Sequence, residues 1–305
     1  MNHHPQAAIL SRLDIPDVTP LGGRRAAFLG CGDSLAAARP AEQLGHRVLS
    51  AGDVAWGGGA PQGVDVVVPL SWSGKTGATI RAAQIAKDAG LPVIAVTTNA
   101  ASPLAELADD VVIVPAFDHT EDIPAVGYAV HSAAVAALVG DRIDLVQVAS
   151  DWANAHGGIG RLYSASGPKP RGMTIATTAD AHGAGEFWML KLIEATGLTA
   201  RTTGVEEVGH VDYFLGPQQH LALMLAGDAV SERATALGDA LARNGQQVVQ
   251  VRLAEYTTLT GWSRQVLGGV IGADYSAVLA TGWDRPFFRG GQVDMSARHI
   301  QVPVG

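Results

Sequence analysis

Residues 64–76 have the sequence VDVVVPLSWSGKT, and this stretch decides the fold class. The apolar, β-branched run from Val64 to Leu70 predicts a buried parallel strand, because such strands are covered by helices on both faces. A polar loop containing Gly74 follows, and the apolar spacing over residues 77–89 predicts a helix that Gly90 ends. A strand, a short loop and a helix in this order are typical of a parallel α/β sheet.

The same alternation extends along the chain in both directions. We expect two doubly wound domains, each a flavodoxin-like, three-layer α/β arrangement around a five-stranded parallel sheet. The expected strands are residues 26–30, 47–50, 64–70, 92–97 and 111–115, then 173–178, 198–203, 221–226, 247–251 and 275–281. The expected boundaries are an N-terminal extension over residues 1–22, a first domain over 23–150 and a second domain over 151–305.

The composition excludes several classes of protein. A chain of 305 residues with 47% hydrophobic and 16% charged residues suits two globular domains. Its net charge of -8 provides no basic field for nucleic acid. No apolar run reaches the roughly 18 residues of a membrane span, and no secretory leader pattern opens the chain. The single cysteine cannot form an internal disulfide, so we expect a cytoplasmic protein.

The loop after the third expected strand carries three hydroxyl groups, on Ser71, Ser73 and Thr76. Unpaired N–H groups and the positive end of the helix dipole converge at such a position, so the pattern predicts a site for one phosphate group. The alternative is that these residues only cap the helix and form the turn. A nucleoside-triphosphate loop is excluded, because Pro69 stands where that motif requires glycine.

The first expected strand is followed by the sequence GCGDS at residues 30–34. Leu35 replaces the third glycine of a dinucleotide fingerprint, so we expect no nicotinamide cofactor. We expect instead that Gly32, Asp33 and Ser34 line the sugar end of a ligand at the topological switch point of the sheet. The corresponding loop of the second domain, residues 227–231, has only one serine, which predicts one phosphate site per chain.

One predicted helix of the second half carries a lysine and a carboxylate on one face. Lys191 lies three residues before Glu194, a spacing that brings the two side chains together. An ionised carboxylate in this setting can accept a proton, and the alternative is an ordinary surface ion pair. No clustered Cys and His spacing indicates a metal site, so we expect neither a metal nor a redox cofactor.

Two motifs resemble known protein families. The pattern S-x-S-G-x-T at residues 71–76, with Pro103-Leu104-Ala105 and Ala108-Asp109, resembles a sugar isomerase (SIS) domain. The sequence LKLIE at residues 190–194, with His210 downstream, resembles the isomerase half of glucosamine-6-phosphate synthase. The resemblance covers most of residues 24–305 and implies a double-SIS arrangement.

The resemblance implies a phosphosugar aldose/ketose isomerase acting on a sugar 6-phosphate. Ser71, Ser73 and Thr76, with the backbone of Trp72, would hold the phosphate of this phosphorylated monosaccharide. By the same resemblance, Asp33 and Ser34 would face the sugar, and Glu121 would lie near the mouth of the site.

The resemblance also implies the chemistry. Glu194 would move a proton between C1 and C2 through an enediol intermediate, Lys191 would tune Glu194, and His210 would open the sugar ring. Related dimers take this histidine from the partner subunit, so we expect a homodimer with the site at the subunit interface.

The sequence departs from the family pattern in two places. Residues 211–215 separate His210 from Gly216-Pro217, whereas family members have the three residues in succession, so His220 is an alternative ring-opening residue. The family's C-terminal lysine has no counterpart in residues 291–305, which weighs against a synthase. Two alternative functions therefore stay open: a deglycase or deaminase of a 6-phosphorylated amino sugar, and a non-catalytic phosphosugar-binding regulator.

Overall fold

The computed structural model describes residues 4–15, 17–118, 123–215, 218–228 and 231–285. Contacts between residues divide the chain into two compact units. Within the described ranges, the N-terminal unit comprises residues 13–118 and 127–143, and the C-terminal unit comprises residues 4–12, 123–126 and 144–285. None of the helices within these ranges is both long enough and apolar enough to cross a bilayer.

Strands and helices alternate through both units. The strands are β1 (Ala26–Gly30), β2 (Arg47–Ser50), β3 (Val66–Pro69), β4 (Ile94–Thr97), β5 (Asp110–Ile113), β6 (Gly172–Thr177), β7 (Thr199–Gly204), β8 (His220–Ala226) and β9 (Gln247–Arg252). The helices are α1 (Pro5–Leu10), α2 (Asp33–Ala38), α3 (Ala51–Asp53), α4 (Gly77–Asp88), α5 (Pro103–Leu107), α6 (Val126–Leu138), α7 (Leu145–Ala155), α8 (Ile159–Ser166), α9 (His182–Thr196), α10 (Val205–Val211), α11 (Ser231–Arg243) and α12 (Gly261–Gly282).

The N-terminal unit contains all five strands expected in the first half of the chain. β1 pairs in parallel with β2 on one side and β3 on the other, and β4 pairs in parallel with β5. Two isolated parallel bridges, Val67–Val93 and Leu70–Val96, connect the three-stranded and two-stranded sheets. Alanines of α4 at positions 82, 83 and 86 pack on the buried side chains of β1, β3 and β4, which forms a core of small and β-branched residues.

The C-terminal unit contains one sheet of four parallel strands in the order β7-β6-β8-β9. The prediction of a fifth strand at residues 275–281 is wrong, because this segment belongs to α12. Within this segment Tyr275, Ser276, Leu279 and Ala280 are buried and Ala277 and Val278 are partly buried, so the run shows no polar face before exposed Thr281. A short apolar run of this kind cannot be assigned to strand or helix from its periodicity.

Two glycines of α12 allow α9 to pack closely against it. The fully buried indole of Trp188 donates a hydrogen bond from Nε1 to the carbonyl oxygen of Gly268, at 2.6 Å. A Cβ atom on Gly272, one turn further along α12, would overlap the same indole ring. The helix pair therefore depends on the absence of a side chain at Gly272.

Replacement of Gly272 by alanine tests this packing. We expect Gly272→Ala to lower the free energy of unfolding by about 1–3 kcal/mol, because the added methyl group must displace the Trp188 indole. Gly160→Ala in α8 is the matched control, since a Cβ atom there meets nothing within 4 Å and helix propensity favours alanine. Urea unfolding measures the stability of both variants. Equal changes in the free energy of unfolding would contradict the packing argument.

Candidate phosphate-binding site

Two predicted loops of the N-terminal unit follow neighbouring strands. Leu29 of β1 lies opposite Pro69 of β3 in the parallel register, so the loop at residues 31–34 and the loop at residues 71–76 leave the same edge of the sheet. In the order β2-β1-β3, the chain adds β2 on one side of β1 and then β3 on the other side. Open α/β sheets bind ligands at this kind of switch point.

Both loops require glycine because the backbone approaches its neighbours closely. A Cβ atom on Gly30 would lie 2.8 Å from the backbone nitrogen of Leu35 in α2. Gly74 has a φ of +65°, in the left-handed region, and a Cβ atom there would overlap the hydroxyl group of Ser102. Gly74 therefore sets the path of the 71–76 loop into α4.

The hydroxyl groups of the 71–76 loop have different partners. The Oγ atom of buried Ser71 lies 3.1 Å from Oγ1 of Thr76, whereas Oγ of Ser73 accepts the N–H of Lys75 at 3.3 Å. Thr76 is the N-cap residue of α4, but its side chain makes no capping hydrogen bond. The capping and turn alternative thus accounts for Ser73 and not for the Ser71–Thr76 pair.

Trp72 fixes the loop to the end of β4. Its backbone oxygen accepts hydrogen bonds from the hydroxyl groups of Thr97, at 3.1 Å, and Thr98, at 2.8 Å. Its indole ring meets Phe117 edge-on, with ring centroids 5.0 Å apart, and meets His131 at 5.6 Å. The Trp72 side chain is therefore part of the wall beside the loop, and the phosphate contact that the resemblance implies for its backbone stays a prediction.

The sequence analysis missed His131, which contacts both loops from α6. Its side chain is buried, and its Nδ1 atom lies 3.3 Å from Oγ of Ser34, itself buried on α2. Burial lowers the pKa of His131 to about 4, so the ring is neutral near pH 7. The available signal was a single histidine inside a run rich in alanine and valine at residues 129–137.

The C-terminal unit places Lys191 and Glu194 in direct contact on α9. Nζ of Lys191 donates to Oε2 of Glu194 at 2.9 Å and lies 5.0 Å from the centroid of the Phe187 ring. The lysine side chain is 1% exposed and the glutamate side chain 47% exposed. The pair is not an ordinary surface ion pair, because the ammonium group is buried and requires a charged partner.

Glu194 does not lie at the carboxyl edge of its own sheet. It occupies the last turn of α9, which runs from the carboxyl end of β6 back to the amino end of β7. The polar pair at the carboxyl end of β6 is instead His182 and Glu186, with Nε2 and Oε1 3.6 Å apart. Nδ1 of His182 also lies 3.3 Å from the hydroxyl oxygen of Thr177.

The two candidate histidines occupy different environments. His210 is exposed in the last turn of α10. His220 begins β8 at the amino edge of the sheet, and its Nε2 atom lies 2.8 Å from Oγ1 of Thr174. Burial lowers the pKa of His220, and its position gives it a structural hydrogen bond within the sheet. Glu121, Gly216 and Pro217 lie outside the described residues.

In the C-terminal unit, a carboxylate of the chain lies between the loops that follow β6 and β8, which correspond to the loops after β1 and β3. Asp180 accepts a hydrogen bond from the hydroxyl of Thr178 and another from the backbone N–H of Asp228, both at 2.6 Å. A Cβ atom on Gly227 would overlap this carboxylate, so the β8 loop is closed around it. A phosphate would meet a negative charge here, and one phosphate site per chain stays a prediction.

A second polar cluster has the composition of a metal site. Asp274 lies 2.9 Å from Nε2 of His4, 3.0 Å from Nδ1 of His156 and 3.0 Å from Nε1 of Trp152, beside a cavity of about 550 Å³. Nδ1 of His4, however, accepts the N–H of Ala7, so the neutral ring carries its proton on Nε2. That nitrogen then donates to Asp274 and has no lone pair for a metal, which makes the cluster a hydrogen-bond network joining α1, α7 and α12.

Comparison with known proteins supports the SIS resemblance for part of the chain. Residues 62–139 match the family model of the SIS domain, a range that includes the 71–76 loop. The 3-hexulose-6-phosphate isomerase of Mycobacterium gastri is 47% identical over 57 residues, which are 19% of this chain and 29% of that protein's length. The match to this curated relative therefore spans less than a third of its length.

Solved structures share the fold over nearly the whole chain. The glucosamine-6-phosphate deaminase of Thermotoga maritima has a TM-score of 0.73 at 17% identity and covers 92% of this chain and 93% of its own. The tagatose-6-phosphate ketose/aldose isomerase of Escherichia coli has a TM-score of 0.69 at 14% identity, covering 85% and 82%. The C-terminal domain of the Francisella tularensis glucosamine-fructose-6-phosphate aminotransferase has a TM-score of 0.68 at 14% identity, covering 87% and 86%.

These findings define the class of protein at a coarse level. Residues 62–139 match the SIS domain model, and the chain shares its overall fold with the deaminase and isomerase structures named above. The family match ends before residue 144, where the main part of the C-terminal unit begins. The two halves are related by their topology. The order β7-β6-β8-β9 matches β2-β1-β3-β4, in which isolated bridges connect β3 with the β4 segment.

The depressed pKa of His131 predicts a dependence of stability on pH. Between about pH 4 and 6.5 the unfolded chain binds a proton that the folded chain excludes, so the free energy of unfolding falls as the pH decreases through this window. The decrease in the free energy of unfolding that is due to His131 is up to about 3 kcal/mol. We expect His131→Leu to unfold with a flatter pH profile than the wild type in urea titrations over this window. Parallel profiles would show that His131 is not the group responsible.

Proposed function

We propose that the protein binds a sugar phosphate through the 71–76 loop and interconverts its aldose and ketose forms. The observation that carries the proposal is the Ser71–Thr76 hydroxyl pair at the N-terminus of α4, inside the range that matches the SIS domain. Neither hydroxyl caps the helix, and a phosphate monoester supplies acceptor oxygens for both hydroxyls and for the N–H groups of the first turn. Loop 31–34 lies at the adjacent strand end, which suits the sugar portion.

The proposed base is Glu194. Isomerisation requires a group that removes a proton from C2 or C1 of the open-chain sugar and returns it to the neighbouring carbon through an enediol. A buried ammonium at 2.9 Å stabilises the ionised form of this carboxylate, and an ionised carboxylate can accept that proton. His210 is the proposed ring-opening residue, and a homodimer is the proposed assembly.

The phosphate site is tested by Ser71→Ala. Loss of one charge-assisted hydrogen bond should weaken binding of fructose 6-phosphate and of inorganic phosphate by about 10- to 100-fold. Ser164→Ala is the control, because this exposed hydroxyl on α8 donates only to the carbonyl of Gly160 in its own helix. Isothermal titration calorimetry measures both, and an unchanged affinity in Ser71→Ala would remove the phosphate site from the proposal.

The base is tested by Glu194→Gln. We expect turnover to fall by at least about 10²- to 10⁴-fold while binding of the sugar phosphate persists. Proton NMR in D2O would follow loss of the C1 proton signals of fructose 6-phosphate, and then loss of the C2 proton signal of glucosamine 6-phosphate. Glu42→Gln, in the exposed Arg39–Glu42 pair at the same i,i+3 spacing, is the control and should keep full activity.

The outcomes separate the three candidate functions. Exchange at C1 or C2 with a ketose or aldose product supports the isomerase, and release of ammonia from glucosamine 6-phosphate supports the deaminase alternative. Tight binding with no exchange supports the regulator. Because Glu194→Gln leaves buried Lys191 beside a neutral group, Glu194→Asp provides a second variant that keeps the charge pair. An active Glu194→Gln enzyme would exclude Glu194 as the base.

A further inference from the structure

We propose that His131 is a positioning residue. It would hold the 31–34 loop and the 71–76 loop together and orient the Ser34 hydroxyl toward the ligand. The inference rests on the proposed function, since it concerns the same site. His131 contacts one residue of each loop: Nδ1 lies 3.3 Å from Oγ of Ser34, and the ring meets the Trp72 indole at 5.6 Å. These two residues follow β1 and β3, which flank the switch point.

The ring carries one hydrogen-bonding group that its surroundings do not use. Nε2 of His131 is buried and has no hydrogen-bond partner among the described residues. A buried polar atom without a partner costs free energy, which leucine or phenylalanine at this place would avoid. Buried side chains that violate local packing rules concentrate at functional sites. The hydrogen bond between Nδ1 and Ser34 is the interaction that explains why position 131 is a histidine.

The direction of the His131–Ser34 hydrogen bond follows from the same geometry. With the proton on Nδ1, the ring donates to Oγ of Ser34, and the unpartnered Nε2 is only an acceptor. With the proton on Nε2, a buried N–H would lack an acceptor. In the first arrangement Ser34 has its own hydroxyl proton free to donate to an oxygen of the sugar. The neutral state of the buried ring is consistent with this arrangement.

The contact with Trp72 links this arrangement to the phosphate loop. The Trp72 ring is held between His131 and Phe117, and its backbone oxygen is bound by Thr97 and Thr98. Gly127, one turn before His131 on α6, places a bare backbone beside the indole, where a Cβ atom would lie 3.4 Å from the ring. Helix α6 thus supports both loops from one face.

The test compares discrimination between two probes, inorganic phosphate and fructose 6-phosphate. A purely structural loss lowers the folded fraction and weakens both ligands equally, whereas misplacement of Ser34 weakens the sugar phosphate more. We expect His131→Leu to reduce the affinity ratio of fructose 6-phosphate over inorganic phosphate by about five- to tenfold. His131→Asn retains a donor near the Nδ1 position and should restore most of the ratio. Ser132→Ala, which removes a buried hydroxyl bound to the Ala37 carbonyl, is the control and should keep the ratio.

A double-mutant cycle with Ser34→Ala makes the coupling explicit. If His131 acts through Ser34, then the double variant should discriminate no worse than Ser34→Ala alone. Additive losses, or an unchanged ratio in His131→Leu, would overturn the positioning role while leaving the proposed function in place. A wild type that binds neither probe would overturn the proposed function and this inference with it.

Discussion

The site of the N-terminal unit depends on the pairing of β1 with β2 on one edge and β3 on the other. This reversal in strand order brings the loops after β1 and β3 to one point at the carboxyl edge of the sheet. Gly30 lets α2 start close to the end of β1, and Gly74 turns the second loop into α4. That parallel register places three features at one edge of the sheet: the hydroxyl pair, the first turn of α4 and the buried Ser34.

The two units share a strand order but differ in the chemistry of the loops at the carboxyl edge. The C-terminal sheet repeats the strand order, yet its crevice contains the carboxylate of Asp180, held by Thr178 and the N–H of Asp228. The interactions that would bind an external anion are therefore satisfied within the chain. In the N-terminal unit the Ser71 and Thr76 hydroxyls contact each other and no such carboxylate. The chemistry of the loops, and not the fold, separates a binding crevice from a structural one.

Most of the fold followed from local patterns, and the errors have physical causes. Nine expected strands lie within a few residues of the observed ones, because buried parallel strands are short, β-branched and bounded by polar turns. The tenth failed because residues 275–280 form a short apolar run without a charged residue, which fits a strand as well as a helix. His131 and the His4–Asp274 contact escaped prediction, since side chains 97 and 270 positions from their partners meet only through tertiary packing. The roles of Glu194, His210 and Glu121 and the boundaries at residues 22 and 150 stay predictions.

The charge of the protein constrains how a phosphate dianion would be held. A net charge of -8 opposes the approach of an anion at long range, and the one lysine of the 71–76 loop, Lys75, is exposed. The neutral His131 supplies no positive charge, because its surroundings exclude the proton. Recognition must then come from short-range donors, which are the hydroxyls of Ser71 and Thr76 and the N–H groups at the start of α4. Such donors act only when loop geometry is fixed within tenths of an ångström, so a residue that holds the two loops in place controls the site as directly as one that touches the ligand.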